Sequence, residues 1–188
     1  MRIVGGSLKG KKLFFLKNNT TRPLRDLVKE SIFNTILHSN LIKTKIINSN
    51  ILDVYSGTGS FGLECLSREA SNVFFIENNK EALNILEENI NKLFVTNKTR
   101  VYSNDIEIFL NKKNNYNKFD IVFFDPPFES DDYKKQLTLL KENNFCNKQH
   151  LVVLHRENKK NEDLNEVLKV LLVKKYGRSK VIFGTLIF

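Results

Sequence analysis

From residue 50 onward, short apolar runs alternate with longer stretches of helical spacing, which leaves few folds open to the chain. The strand candidates are 51–55, 73–77, 100–103, 120–124 and 151–155, and between and after them lie helical stretches at 60–69, 79–94, 105–113, 131–143 and 162–170. The second helix is the clearest: Asn78 is placed to cap it, Glu81 follows three residues on, and Leu83, Leu86, Ile90 and Leu93 mark its buried face. Alternation of this kind predicts an α/β domain, a mostly parallel sheet with helices on both faces. Runs 171–176 and 180–187, separated only by Gly177, Arg178 and Ser179, predict two last strands joined as an antiparallel hairpin, seven strands in all.

Before residue 50 the pattern differs. Runs 2–5 and 11–15, separated by Gly6, Ser7 and Gly10, predict a small basic hairpin, and a helix is expected from Pro23, with Val28, Ile32, Phe33, Ile36 and Leu37 at helical spacing. The net charge is +9, and residues 1–50 hold ten basic side chains against two acidic ones, whereas the other 138 residues hold twenty against nineteen. Composition bias alone would not confine the surplus to one quarter of the chain, so a polyanion-binding segment is expected there. Its candidate contacts are Arg2, Lys9, Lys11 and Lys12 on the hairpin and Arg22, Arg25 and Lys29 at the helix. The organisation expected is one domain, 1–188, made of a basic extension over 1–40 and a catalytic core over 50–188. Removal of residues 1–20 is expected to weaken polyanion binding and spare the core's ligand.

With 188 residues the chain is long enough to bury one core. It has no apolar run of membrane-spanning length and no secretory apolar segment, so a cytoplasmic protein without membrane contact is expected. Cys65 and Cys146 form no CxxC and have no histidine spaced to complete a metal set; no metal is expected. His38, His150 and His155 are read as ordinary structural or surface residues.

In an open α/β sheet, ligands sit beyond the carboxyl ends of the strands. The first strand there runs into Asp53-Val54-Tyr55-Ser56-Gly57-Thr58-Gly59-Ser60-Phe61-Gly62, whose glycines permit a tight turn and close approach to a ligand. Glu77 ends the second strand, where a carboxylate can accept hydrogen bonds from two ribose hydroxyls, and Asn104-Asp105 follows the third, where an adenine amine can be met. Gly57-x-Gly59-x-x-Gly62 with Glu77 also satisfies a dinucleotide fingerprint. Asp53 separates the readings: a carboxylate beside a pyrophosphate is repelled, but it suits S-adenosylmethionine, which carries an ammonium and a sulfonium and no phosphate.

The fourth strand ends in Asp125-Pro126-Pro127-Phe128. Two consecutive prolines fix φ and withhold two N–H donors, so the flanking groups are held in one shape. The exocyclic amine of a base is a poor nucleophile because its lone pair is delocalised into the ring. Accepting its N–H bonds with the Asp125 carboxylate and a backbone carbonyl, that of Pro126, favours a pyramidal nitrogen aimed at a methyl donor, with Phe128 stacked on the base. A base paired in a helix cannot enter such a pocket, so the target must be unpaired or flipped out.

These residues resemble the RsmD-type family of bacterial methyltransferases almost end to end. The resemblance runs through Met1-Arg2-Ile3-Val4-Gly5-Gly6, Lys9-Gly10-Lys11-Lys12-Leu13, Thr21-Arg22-Pro23, Lys29-Glu30-Ser31-Ile32-Phe33-Asn34, the glycine loop, the Asp125 to Phe128 element and Tyr176-Gly177. The opening segment narrows the choice, since the loop and tetrapeptide are shared by many methyltransferases. The resemblance implies a Rossmann-like class I fold and S-adenosylmethionine as cofactor, leaving S-adenosylhomocysteine. It implies Asp53, Gly57, Gly59, Glu77 and Asp105 at the cofactor, with Tyr55, Ser56, Asn78, Asn104 and Ile106 beside them. It further implies Asp125, Pro126, Pro127 and Phe128 at the target, the N2 amine of a guanine in 16S ribosomal RNA within an assembling small subunit, and a monomer. Leu27 departs from the arginine usual in the family at that place. Three alternatives stay open: adenine-N6 methylation of DNA or RNA, a nicotinamide-dependent oxidoreductase, and a catalytically silent RNA-binding protein.

Overall fold

The computed structural model describes residues 1–16, 24, 26–112, 118–160 and 162–188. Seven strands form one sheet, β1 (Asn50–Val54), β2 (Asn72–Ile76), β3 (Thr99–Tyr102), β4 (Phe119–Phe124), β5 (Cys146–Glu157), β6 (Leu168–Tyr176) and β7 (Ser179–Leu186), in the order β3-β2-β1-β4-β5-β7-β6. The first five are mutually parallel and β7 is antiparallel to both its neighbours. The helices are α1 (Asp26–His38), α2 (Ser60–Ser67), α3 (Lys80–Lys92), α4 (Ile106–Leu110) and α5 (Tyr133–Glu142). Central strands are apolar on both faces because helices cover both; β1 and β4 contribute Ile51 and Ile121 to one core layer, Leu52 and Val122 to the other. Among the described residues no helix is long and apolar enough to cross a membrane.

Three expectations need correction. The stretch 162–170 is not a helix: Leu164 and Leu168 have helical spacing, but the chain makes only one turn, with Leu168 N–H donating to the Leu164 carbonyl at 2.8 Å, before β6 starts. Both leucines are buried in the layer shared with α5, so the spacing recorded burial and not helix length. The cap of α3 is Asn79, whose side chain accepts from Ala82 N–H at 3.0 Å, one residue after the expected Asn78. On α1, Leu37 is exposed, and Lys29 instead is fully buried alongside Ile32 and Phe33.

The N-terminal hairpin reduces to one bridge, Arg2 to Lys12, and it is built into the core. Ile3 and Leu13 lie in the same cluster as α1 and α2. Glu64 on α2 accepts the N–H groups of Val4 (2.7 Å) and Gly5 (2.8 Å), and Asn89 on α3 bonds both Phe14 and the Thr58 carbonyl of the glycine loop. Deleting residues 1–20 would strip buried side chains and a support of that loop, so its effect is not confined to a polyanion.

Candidate active site

The site is built at the carboxyl ends of β1, β2, β3, β4 and β5. After β1 the chain turns at once, and Tyr55, not a glycine, takes the left-handed conformation at φ 61°. A non-glycine residue there costs about 1–3 kcal/mol, and such strain is characteristic of ligand clamps. The Tyr55 hydroxyl donates to Gln136 of α5 at 3.0 Å. Gly59 has φ 86°, and a Cβ on Gly62 would lie 2.4 Å from the Phe75 ring, so the loop lies flat on the sheet only with glycine at these places. Asp53 is buried beneath it: Oδ2 accepts from Gly62 N–H at 2.9 Å, and among the described residues Oδ1 is buried without a partner, as is Oγ of Ser56.

Glu77 faces the loop from β2, but its carboxylate is already occupied by backbone. It accepts Gly57 N–H (2.7 Å), Asn78 N–H (3.0 Å) and Asn79 N–H (2.9 Å), so it pins the glycine turn to the start of α3. Asp105 caps α4 through Glu107 N–H at 2.8 Å. Tyr55, Glu77, Asn78, Asp105, Ile106 and Pro127 converge on one cleft of about 370 Å³. Asn104 is exposed and outside its lining. Among the described residues, each ionisable carboxyl or amine group in that lining is an acid: Glu77, Asp105, Glu107 and Asp132.

Burial pushes the Asp53 carboxyl well above the usual carboxylate range; the Gly62 N–H opposes this, and Asp125 and Glu77 reinforce it. A raised carboxylate contributes stability that is fully present below its unfolded value, about 4, and is lost as pH rises through the folded value. Without ligand, thermal stability of the wild type is expected to fall across that window relative to Asp53→Asn, with the two proteins alike below it. Tm measured against pH for both proteins checks this; parallel curves throughout would refute it.

At the end of β4, Asp125 is held from β5. The pairing of Phe124 with Leu154 sets the next residues, Asp125 and His155, side by side. Their Nδ1 to Oδ1 distance is 2.8 Å, and since an ionised carboxylate only accepts, Nδ1 carries the proton. Phe128 meets the His155 ring edge-on at 5.7 Å. Arg156, completely buried, donates to the carbonyls of Pro127 (2.9 Å), Phe128 (3.0 Å) and Ser130 (3.0 Å), stacks on Tyr133 and pairs with Glu162 at 3.1 Å. Neither His155 nor Arg156 was expected at the site. Their only sequence signal is that the apolar run Leu151 to Leu154 ends abruptly in His-Arg-Glu.

Of the expected polyanion contacts, Arg2, Lys9, Lys11 and Lys12 are exposed on the N-terminal turn. Arg22 and Arg25 lie outside the described residues. Lys29 is corrected: its ammonium donates to the Arg2 carbonyl at 2.6 Å and lies 3.7 Å from Glu64, with no exposed surface, so it cannot touch RNA. Among the described residues no cluster could hold a metal ion.

Strand order, glycine turn and acidic cleft define a class I S-adenosylmethionine-dependent methyltransferase, whose methyl donor is S-adenosylmethionine. Residues 1–185 match the model of a family described as conserved hypothetical protein 95. The chain belongs to that family, the RsmD-type ribosomal RNA methyltransferases. It is 35% identical over 161 residues to ribosomal RNA small subunit methyltransferase D of Haemophilus influenzae, which covers 85% of this chain and 80% of that one. The protein of the same name from Buchnera aphidicola is 30% identical over 181 residues, covering 96% and 88%. A solved Escherichia coli structure, provisionally described as a methyltransferase, superposes with a TM-score of 0.83 at 27% identity, covering 98% and 96%.

Proposed function

We propose that this protein transfers a methyl group from S-adenosylmethionine to the N2 amine of a guanine in 16S ribosomal RNA, acting as a monomer on an assembling small subunit. The observation that carries the reading is Asp125: a half-buried carboxylate, oriented by His155, beside a cleft whose charges are all acidic. The methyl donor, bound there, supplies an electrophilic methyl on a cationic sulfur. An acidic cleft attracts that cation and repels a pyrophosphate, which disfavours the nicotinamide alternative. The unsatisfied Asp53 and Ser56 oxygens beneath the loop fit a ligand that brings donors, and Glu77 receives ribose hydroxyls by sharing the oxygens it now gives to Gly57 and α3.

At the target, Oδ1 of Asp125 is held by His155 and Oδ2 accepts an amine N–H. Arg156 already engages the carbonyls of Pro127 and Phe128, so the second acceptor is the Pro126 carbonyl. The nitrogen would become pyramidal; as it took the methyl the C–S bond would break and the neutral thioether would leave as S-adenosylhomocysteine, and Asp125 would stabilise the cationic nitrogen until its proton passes to water. Phe128 holds the base face. Arg2, Lys9, Lys11 and Lys12, exposed on the N-terminal turn, grip phosphates of the RNA.

Incubation with labelled methyl donor and either small-subunit particles or DNA, then nucleoside analysis, tests the reading. N2-methylguanine from the particles is expected; N6-methyladenine as the only product would transfer the same site to the adenine alternative.

A further inference from the structure

The near balance of charge beyond residue 50 hides a local segregation. Residues 159–180 carry seven basic side chains, Lys159, Lys160, Lys169, Lys174, Lys175, Arg178 and Lys180, against Glu162, Asp163 and Glu166. The fold gathers several of the bases. Because β7 runs antiparallel to β5, pairing Glu157 with Ser179, the β6–β7 turn lies at the carboxyl end of β5, the edge that holds Asp125. Asn158 ties the turn after β5 to that hairpin: its backbone N–H donates to the Arg178 carbonyl and its side chain to the Gly177 carbonyl.

Between the two turns opens a groove of about 410 Å³. Leu164, Val170, Val173 and Ile182 form its apolar floor, and Lys159, Lys160, Lys175 and Lys180 its basic wall. Val170 and Val173 are 44% and 42% exposed. The one acid in the lining, Glu162, is spent on Arg156 and on the Tyr133 hydroxyl. Among the described residues no ion pair engages Lys159, Lys160 or Lys175. Burial lowers the Lys180 ammonium; Glu162 opposes this, and Arg156 and Lys175 reinforce it. Lysines on an edge strand such as β6 commonly guard it against pairing with another chain. Lys159 and Lys160 are not on that strand, yet they face the same groove, which edge protection does not require. The groove also adjoins the catalytic loop, since Glu162 in its lining pairs with the arginine that holds the Pro127 and Phe128 carbonyls.

We propose that this groove is a second RNA-binding surface, taking the sugar-phosphate backbone of the single strand next to the target nucleotide, with phosphates on Lys159, Lys160 and Lys175 and a ribose or base on the Val170–Val173 floor. The proposal rests on RNA being the substrate. A grip on the strand next to the target holds a flipped nucleotide against the restoring pull of its stack.

The test uses the full chain with a ribosomal RNA fragment that the wild type binds. Lys159→Gln with Lys175→Gln removes two exposed cations that touch neither cofactor loop nor catalytic tetrapeptide. RNA binding is expected to weaken about tenfold near 0.15 M salt, and the slope of log K against log salt to fall by about 1.4, or about 0.7 for each lost phosphate contact. Tm and S-adenosylmethionine affinity stay unchanged. Lys45→Gln with Lys98→Gln, exposed at the opposite end of the sheet, removes the same net charge and leaves the slope as it was. Equal losses in both double variants would mean diffuse attraction and overturn the groove, as would an unchanged slope in the first. A wild type that methylates no RNA overturns the substrate reading itself, and the groove with it.

Discussion

Asp125→Ala is expected to slow methyl transfer about a thousandfold while S-adenosylmethionine still binds. The carboxylate contributes only where the amine reacts: it takes one N–H in the ground state and faces a full positive charge on nitrogen as the methyl arrives. Removing one such preorganised group costs about 10²–10³ in rate, and this site has a second loss, because His155 then donates to nothing. A fall of about 10³ in kcat is expected, with calorimetric affinity for the methyl donor within about threefold. The carboxylate is 24% exposed, and its side-chain partner is His155. His155→Leu, which frees the carboxylate to rotate, is expected to cost about tenfold in kcat, and His155→Asn, which returns a donor near Nδ1, to recover most of it. Full activity in Asp125→Ala would remove the catalytic reading outright. Loss of donor binding in step with rate would assign residue 125 to the cofactor cradle.

The parts visible in the sequence are those encoded locally. Parallel central strands are unbroken apolar runs, so Ile51 to Val54 and Ile121 to Phe124 announce themselves, and the glycine turn and the Asp125 to Phe128 element are contiguous residues at strand ends. What stayed hidden depends on partners distant in sequence. His155 reads as one more histidine until the β4–β5 register sets it beside residue 125, and Arg156 until three carbonyls of the loop after β4 close around it. Lys29 reads as a surface lysine on a helix with a basic face; only Glu64, 35 positions on, explains why it is inside. The 159–180 groove was masked by the reverse effect, acids elsewhere in the chain cancelling its charge in the sum.

Glu64 supports the second large prediction. This fully buried carboxylate on α2 accepts Val4 N–H, Gly5 N–H and Arg68 Nε–H, at 2.7 to 2.9 Å, and lies 3.7 Å from the Lys29 ammonium. Glu64→Ala leaves two backbone donors and two cations without their shared acceptor, the mechanism by which breaking a buried ion pair costs about 3–5 kcal/mol. That is a large share of the roughly 5–15 kcal/mol available to a domain. Lys29→Met is not symmetrical with it. Burial lowers the Lys29 ammonium more than Glu64 raises it, so its contribution is fully present only above its unfolded value, about 10.4, and is lost as pH falls through the folded one. At neutral pH the buried charge is a cost, and a thioether of similar length is expected to change stability by less than about 1 kcal/mol while Arg68 still pairs with Glu64. Urea denaturation of the two variants measures the asymmetry, and hydrogen exchange at Val4 and Gly5 locates it: both amides lose protection in Glu64→Ala and keep it in Lys29→Met. Equal destabilisation by the two substitutions would mean that the ion pair, and not the carboxylate's grip on the N-terminal backbone, fastens the basic turn to the catalytic core.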